Sequence, residues 1–183
     1  MMEKLVNLRL EAAVYHAKKE MRDYATRWER WNRSGRKGRE PKLSDKRSRA
    51  EWKLLTKEAK TVLKEYPRSR NADNTMFNLG LATNYLGKEK EGAKILSQLI
   101  RKYPNSQKAG DAYFALGEYY FKKTDFRNAI RNYTKALRFK RSKTFAWAHF
   151  MLGWCHYNLG SYRKALDAWK RTVIASKRAG KVG

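Results

Sequence analysis

Three stretches of this chain align on one another without a gap: MFNLGLATNYLGKEKEGAKIL (76–96), YFALGEYYFKKTDFRNAIRNY (113–133) and HFMLGWCHYNLGSYRKALDAW (149–169). Leu79-Gly80, Leu116-Gly117 and Leu152-Gly153 fall in register, 37 and then 36 residues apart. Gly87, Thr124 and Gly160 fall in register behind them. A period of this size belongs to arrays of small supersecondary units, each of which buries its apolar face only by stacking on a neighbour. An open sheet, a barrel or a single irregular domain has no use for it.

Composition says which unit is repeated. Only three prolines occur in 183 residues, Pro41, Pro67 and Pro104, and the last two each follow a tyrosine at the end of a helical pattern. The chain is therefore mostly helical. Its net charge of +26 would suit a disordered polycation, but 42% of its residues are hydrophobic, with 6 Trp, 11 Tyr and 7 Phe. That many aromatic rings call for a core. A single cysteine excludes an internal disulfide framework and a Cys-rich zinc site. No apolar run is long enough to span a bilayer.

Within each repeat the first helix carries a large residue, then Leu-Gly, then a ring three residues later: Tyr113, Leu116, Gly117, Tyr120. The glycine lets another helix approach closely, which outweighs its helix cost of roughly 1 kcal/mol. After a short turn the second helix places a small residue at the crossing and a large one a turn later: Ala129, Tyr133 and Ala136, then Ala165 and Trp169. Phe126 and Tyr162 open these second helices.

In these residues the chain resembles the tetratricopeptide-repeat (TPR) family, whose pattern asks for a large residue, Leu-Gly, Tyr, Ala, an aromatic, Ala and Pro over 34 positions. Repeat 110–143 supplies all but the proline, where Arg141 stands. Repeat 146–179 supplies His149, Leu152, Gly153, His156, Ala165 and Trp169, with Thr172 at the last Ala. Repeat 73–106 supplies Met76, Leu79, Gly80 and Pro104, and departs at Thr83 and Gly92. The resemblance implies an all-α, right-handed superhelical array of helical hairpins that works as a non-catalytic scaffold for protein–protein interaction.

The N-terminal third is less regular. Residues 50–66 read as an amphipathic helix through Trp52, Leu55, Ala59, Val62, Leu63 and Tyr66. Its ending, Tyr66-Pro67-Arg68-Ser69, echoes Tyr103-Pro104-Asn105-Ser106. This makes it the second helix of a divergent first repeat. The first helix is then residues 5–31, with Leu5, Leu8, Ala12, Tyr15, Met21, Tyr24, Trp28 and Trp31 as core positions. Between them lies a long basic loop, 32–46 (NRSGRKGREPKLSDK), expected to be mobile because it holds almost nothing apolar. The expected organisation is a hairpin domain over 1–72 followed by the array over 73–183.

Charge is distributed unevenly. Residues 126–183 contain one acid, Asp167, against a basic run of Arg127, Arg131, Lys135, Arg138, Lys140, Arg141 and Lys143, continued by Arg163, Lys164, Lys170, Arg171, Lys177, Arg178 and Lys181. An ordinary solvated surface accounts for such a run, and so does a footprint for an acidic protein, an anionic lipid surface or nucleic acid.

In the TPR family the first helices line a concave groove. The resemblance carries that role to Asn74, Phe77, Asn78, Leu81, Asn84 and Tyr85 in one repeat. In the next it reaches Asp111, Phe114, Glu118, Phe121 and Lys122, and in the last Trp147, Phe150, Met151, Trp154, Tyr157 and Asn158. Phe77, Phe114 and Phe150 hold equal positions and suggest an aromatic ladder. The Lys and Asn clamp of the chaperone-binding members is missing. An apolar groove suits a peptide with aromatic or aliphatic anchors; plain inter-repeat packing, or a second chain laid on the uncapped last repeat, would use the same residues. The partner expected is a protein or peptide, acidic in character, with nucleic acid bound by the basic surface and its aromatics as the alternative.

Chemistry has little to stand on. His149 and His156 are two helical turns apart beside Cys155, at positions where Tyr113 and Tyr120 stand one repeat earlier, so core roles are expected for all three. No phosphate loop, zinc helix or nucleophile elbow occurs, and no catalytic residue, metal or cofactor is expected. The Tyr-Pro-x-Ser links resemble those of TPR proteins of the bacterial cell envelope, in outer-membrane assembly, Tol–Pal and gliding-motility systems. That resemblance implies a periplasmic or envelope fragment without its signal sequence; the charged opening (Glu3, Lys4, Arg9, Glu11) otherwise fits a cytoplasmic chain.

Overall fold

The computed structural model describes residues 2–179, and the side chains of residues 2–177. Lys181 of the basic run and the side chain of Arg178 lie outside the described residues. Among these residues there are eight α-helices and no strand: α1 (Met2–Arg33), α2 (Lys46–Glu65), α3 (Ala72–Tyr85), α4 (Glu89–Lys102), α5 (Gln107–Lys122), α6 (Phe126–Ala136), α7 (Phe145–Asn158) and α8 (Tyr162–Ala179). They divide into two compact units, Met1–Glu89 and Lys90–Gly183.

In the first unit α2 packs between α1 and α3. The α2 face is the one its periodicity indicates: Trp52, Leu55, Ala59 and Val62 are buried. Tyr66 is not part of it; it stands exposed at the C-cap. The expected α1 stripe is corrected more severely. Leu8, Tyr15, Met21 and Trp28 are exposed, and the buried positions are Val6 and Ala13. The reason is that α1 meets α2 through small and polar residues. Arg9 bridges Glu51 (3.1 Å) and Glu58 (3.2 Å), and Ala13 lets the helix backbones approach. Glu20 accepts from the Arg47 N–H (2.8 Å) and the Ser48 hydroxyl (2.6 Å), closing the first turn of α2, whose own N-cap residue Asp45 makes no side-chain cap. These contacts set the rotation of α1 and leave its large apolar stripe facing out.

The connector between α1 and α2 spans 34–45, shorter than the 32–46 expected, because both helices extend into it. It folds back along α1: the Trp31 indole N–H donates to the Gly38 carbonyl (3.3 Å), and Arg27 donates to that of Lys42 (3.2 Å). Asn7 on α1 accepts from the side-chain amides of Asn74 (2.9 Å) and Asn78 (3.1 Å) on α3.

In the second unit α5 pairs with α6, α6 with α7 and α7 with α8. The core gathers Ala129, Tyr133, Leu152, Cys155 and Ala168, with Phe114, Phe121, Phe126, Ile130 and Met151 packed around them. Tyr133 fills the space above Gly117, where any Cβ would collide with the ring. The turns follow one design. In the α5–α6 turn the N–H of Thr124 bonds to Phe121 (2.9 Å) and that of Asp125 to Tyr120 (3.0 Å); in the α7–α8 turn Gly160 bonds to Tyr157 (3.0 Å) and Ser161 to His156 (2.8 Å). These are Schellman closures, which need a left-handed residue past the helix end. Gly160 supplies it at φ 69°, and Thr124 supplies it at φ 57° despite its branched Cβ. Asp125 then caps α6 by accepting from the Asn128 N–H (3.1 Å).

Candidate functional site: an aromatic face on α7

Residues 147, 150, 154 and 157 are spaced by three and four, which places them on one face of a helix. On α7 that face is not covered. Trp147 is 60% exposed, Tyr157 49% and Trp154 39%. Their rings run edge to face: Trp147 on Phe150 at 5.4 Å, Phe150 on Trp154 at 6.2 Å and Trp154 on Tyr157 at 5.8 Å. Two further rings join from α8, Trp169 at 5.5 Å from Trp154 and Tyr162 at 5.5 Å from Tyr157. The repeat pattern assigns both to hairpin packing; the signal that joins Tyr162 to the face is that it follows Tyr157 by five positions, across a turn of only three residues. Trp169 is fixed by donating its indole N–H to the Phe150 carbonyl (3.2 Å). The result is a ready-made surface of rigid rings, each with little side-chain freedom left to lose.

The other residues expected in a groove have varied surroundings. In the second unit Phe114 is half-buried with its ring on Tyr133 (5.5 Å), and Phe121 lies against Phe126 (5.5 Å). Met151 packs against the core rather than among the exposed rings. Glu118 accepts a hydrogen bond from the Tyr133 hydroxyl. Burial and that carboxylate together push the phenol's pKa up, so Tyr133 stays protonated. Lys122 is exposed, and Asn158 turns back to its own helix, donating to the Trp154 carbonyl (2.8 Å). Asp111 is committed to the turn ahead of α7, accepting from Ser142 (2.5 Å).

In the first unit Phe77, Leu81 and Asn84 are half-buried. Asn78 is buried, with its amide on Asn7, so it is part of the α1–α3 contact. Tyr85 is exposed at its edge and stacks flat on Trp52, at 4.4 Å and 6°.

The titratable cluster of α7 is internal. His149 is 8% exposed with its ring edge-on to Phe145 at 5.1 Å, and His156 is half-buried. Burial lowers the pKa of both, helped by the charges of Arg171 and Lys164 respectively. Burial, with Glu118 adding, pushes the Cys155 thiol up to about 12, so it is a thiol and not a thiolate at neutral pH. Among the described residues no three His, Cys, Asp or Glu side chains are grouped to hold a metal ion, and no helix is long and apolar enough to cross a membrane.

Comparisons with known proteins agree with this geometry. Tetratricopeptide-repeat profiles match residues 74–106 and 147–173, and another matches 110–143, together slightly more than half of the chain. No curated protein sequence matches it significantly. Among solved structures, a crystal structure of MamA is 24% identical over 71% of this chain and 71% of its own, with a TM-score of 0.58. MamA of MSR-1 is 16% identical over 91% and 98%, with a TM-score of 0.54. BtubC (BKLC) from P. vanneervenii is 14% identical over 100% and 93%, with a TM-score of 0.56. At such identities the likeness is one of fold. Tetratricopeptide repeats are modules that bind proteins and peptides, and a chain built from them is a protein-interaction scaffold. The matched repeats, the Leu-Gly hairpins and the shared fold together place this chain in the tetratricopeptide-repeat family.

Proposed function

We propose that the scaffold grips its partner polypeptide along the aromatic face of α7, with Trp147, Trp154 and Tyr157 as the anchors. The observation that carries this is the unbroken run of edge-to-face rings, exposed at three of its members. Water gains when such rings are covered, at about 25 cal/mol per Å² of apolar surface. Rigid Trp and Tyr side chains are also the residues whose truncation weakens interfaces most, by about 2 kcal/mol or more at a central position. Their packing against one another and the Trp169–Phe150 hydrogen bond hold the surface in shape before a partner arrives, which lowers the ordering cost of binding.

The chemistry of the partner follows from the surroundings. Aliphatic or aromatic side chains on the partner would seat between the rings of Trp147, Phe150 and Trp154. Acidic residues would flank them, since no carboxylate occurs between Asp125 and Asp167 and Arg163 and Lys164 follow Tyr162 at the open end of the face. The fitting segment is therefore short and apolar with acidic neighbours, in a helical or extended conformation.

A selection from a random peptide library on the full chain tests this. The expected winners carry paired apolar anchors with Asp or Glu beside them, and lose binding when Trp147→Ala and Trp154→Ala are combined. Winners that bind that double variant as well as the parent would refute the assignment.

A further inference from the structure

The outer face of α6 takes no part in the aromatic site, and its chemistry is different. At 3.6 residues per turn, Arg127, Arg131, Lys135 and Arg138 fall within a sector of roughly 80°, opposite the face that buries Ala129, Tyr133 and Ala136. Arg138 lies just past the helix, but its N–H still bonds back to the Lys135 carbonyl (3.2 Å), so it continues the row. All four are exposed; no other side chain falls in that sector, which the exposed Thr134 borders on one side and the half-buried Asn128 on the other. The row is about 16 Å long at 1.5 Å per residue. Lys140, Arg141 and Lys143 extend it along the next turn, also exposed, and Ser142 and Thr144 pin that turn to Asp111 of α5 (2.5 and 3.4 Å). Among the described residues none of these seven cations is held in an ion pair. The carboxylates of the adjoining elements have hydrogen-bond partners of their own: Asp111 accepts from Ser142 and Glu118 from Tyr133, while Asp125 accepts from Asn128 and only its charge reaches Arg131 and Arg127.

We propose that this face binds the phosphate backbone of double-stranded nucleic acid without reading its sequence. Three other partners share the electrostatic attraction, and the side chains between the charges separate them from a duplex. Protein interfaces are built around apolar anchors and are poor in lysine; this sector holds no apolar side chain. Helices that lie on bilayers insert apolar side chains; here Ala129, Tyr133 and Ala136 are buried and Ile130 and Leu137 half-buried. Single strands need exposed rings to stack on; the nearby rings are half-buried, Tyr113 with the Lys135 ammonium over it at 5.5 Å and Phe139 packed on Gly110 and 6.4 Å from Tyr113. A row of cations along one helix face, with no apolar side chain among them, matches what a duplex backbone asks for, which is charge neutralisation and counterion release.

The test is fluorescence anisotropy of labelled duplexes of about 24 base pairs and unrelated sequence, titrated with the full chain at several salt concentrations. With four to seven phosphates neutralised, log affinity should fall against log salt with a slope of about −4 to −6, alike for every sequence. Arg131→Glu/Lys135→Glu should reduce the slope by about 2 and weaken binding about tenfold or more at 0.1 M salt. Arg131→Gln/Lys135→Gln should act in the same direction but less, and Trp147→Ala/Trp154→Ala should change nothing. Thermal melts of the variants confirm that they are folded. Absence of duplex binding at low salt, or binding indifferent to the α6 changes, overturns the proposal. So does equal affinity for poly-glutamate or phosphatidylserine vesicles with the same sensitivity to those changes.

Discussion

The Trp169 indole lies over Gly153, so close that a Cβ at that position would overlap the ring, and its N–H reaches the Phe150 carbonyl at 3.2 Å. Two helices of one hairpin are thus locked by a missing side chain on one and a large one on the other. Gly→Ala in a helix interior ordinarily gains up to about 1 kcal/mol. Here the sign reverses. Gly153→Ala should cost about 1–3 kcal/mol in urea denaturation, the range for overpacking a full site, and Gly153→Ala/Trp169→Leu should recover part of that loss.

The second relationship is a strain. Thr124 holds the left-handed conformation that Gly160 holds in the next turn. A side chain there costs about 1–2 kcal/mol, partly offset because glycine frees the unfolded chain. Thr124→Gly should therefore stabilise the protein by about 1 kcal/mol, and Gly160→Ala should destabilise it by a similar amount, both read from denaturant midpoints at unchanged m-value.

Acid should loosen the second unit. Burial lowers the pKa of His149 from its ordinary 6.5, with the Arg171 charge adding. The unfolded chain then takes up a proton more readily than the folded one. Stability is fully present above about pH 6.5 and is lost as the pH falls through that value toward the lowered folded one. The melting temperature of the parent should drop between pH 7 and pH 5, and His149→Gln, which cannot titrate, should drop less. Equal slopes for the two would contradict this reading.

Glu20 caps α2 across the hairpin, since Asp45 does not. Glu20→Ala should cost about 1–2 kcal/mol, the range for a lost N-cap with a charged acceptor. Ser48→Ala, which removes one of the donors, should add little on top of it in a double-mutant cycle.

Much of the fold was legible because the repeat signature is a packing rule. Leu116-Gly117 with Tyr133, and Leu152-Gly153 with Trp169, state where two helices touch and what fills the gap. The register of Gly87, Thr124 and Gly160 states where the chain turns. The face of α1 was not legible, because its large apolar residues are not the contact; Val6, Ala13, Arg9 and Glu20 make it. A close helix contact selects small residues, and a polar bridge across it overrides hydrophobic periodicity. The Tyr-Pro-x-Ser links have a local cause: Ser106 caps α5 by accepting from the Lys108 N–H (2.9 Å). Any helical array can use that device, so it says nothing of compartment. At the aromatic face the spacing of Trp147, Phe150, Trp154 and Tyr157 was enough to group them. Nothing in the spacing showed that Asn78 would be consumed by Asn7, a residue 71 positions away.

The six tryptophans offer the most direct measurement of the central claim. In an amide-correlation NMR spectrum of uniformly ¹⁵N-labelled protein each indole N–H gives its own signal. Titration with a peptide selected on the full chain should shift the signals of Trp147, Trp154 and Trp169 while those of Trp28, Trp31 and Trp52 stay in place. Shifts confined to the latter three, or binding that leaves all six unmoved, would show that the partner is held somewhere other than the face of α7.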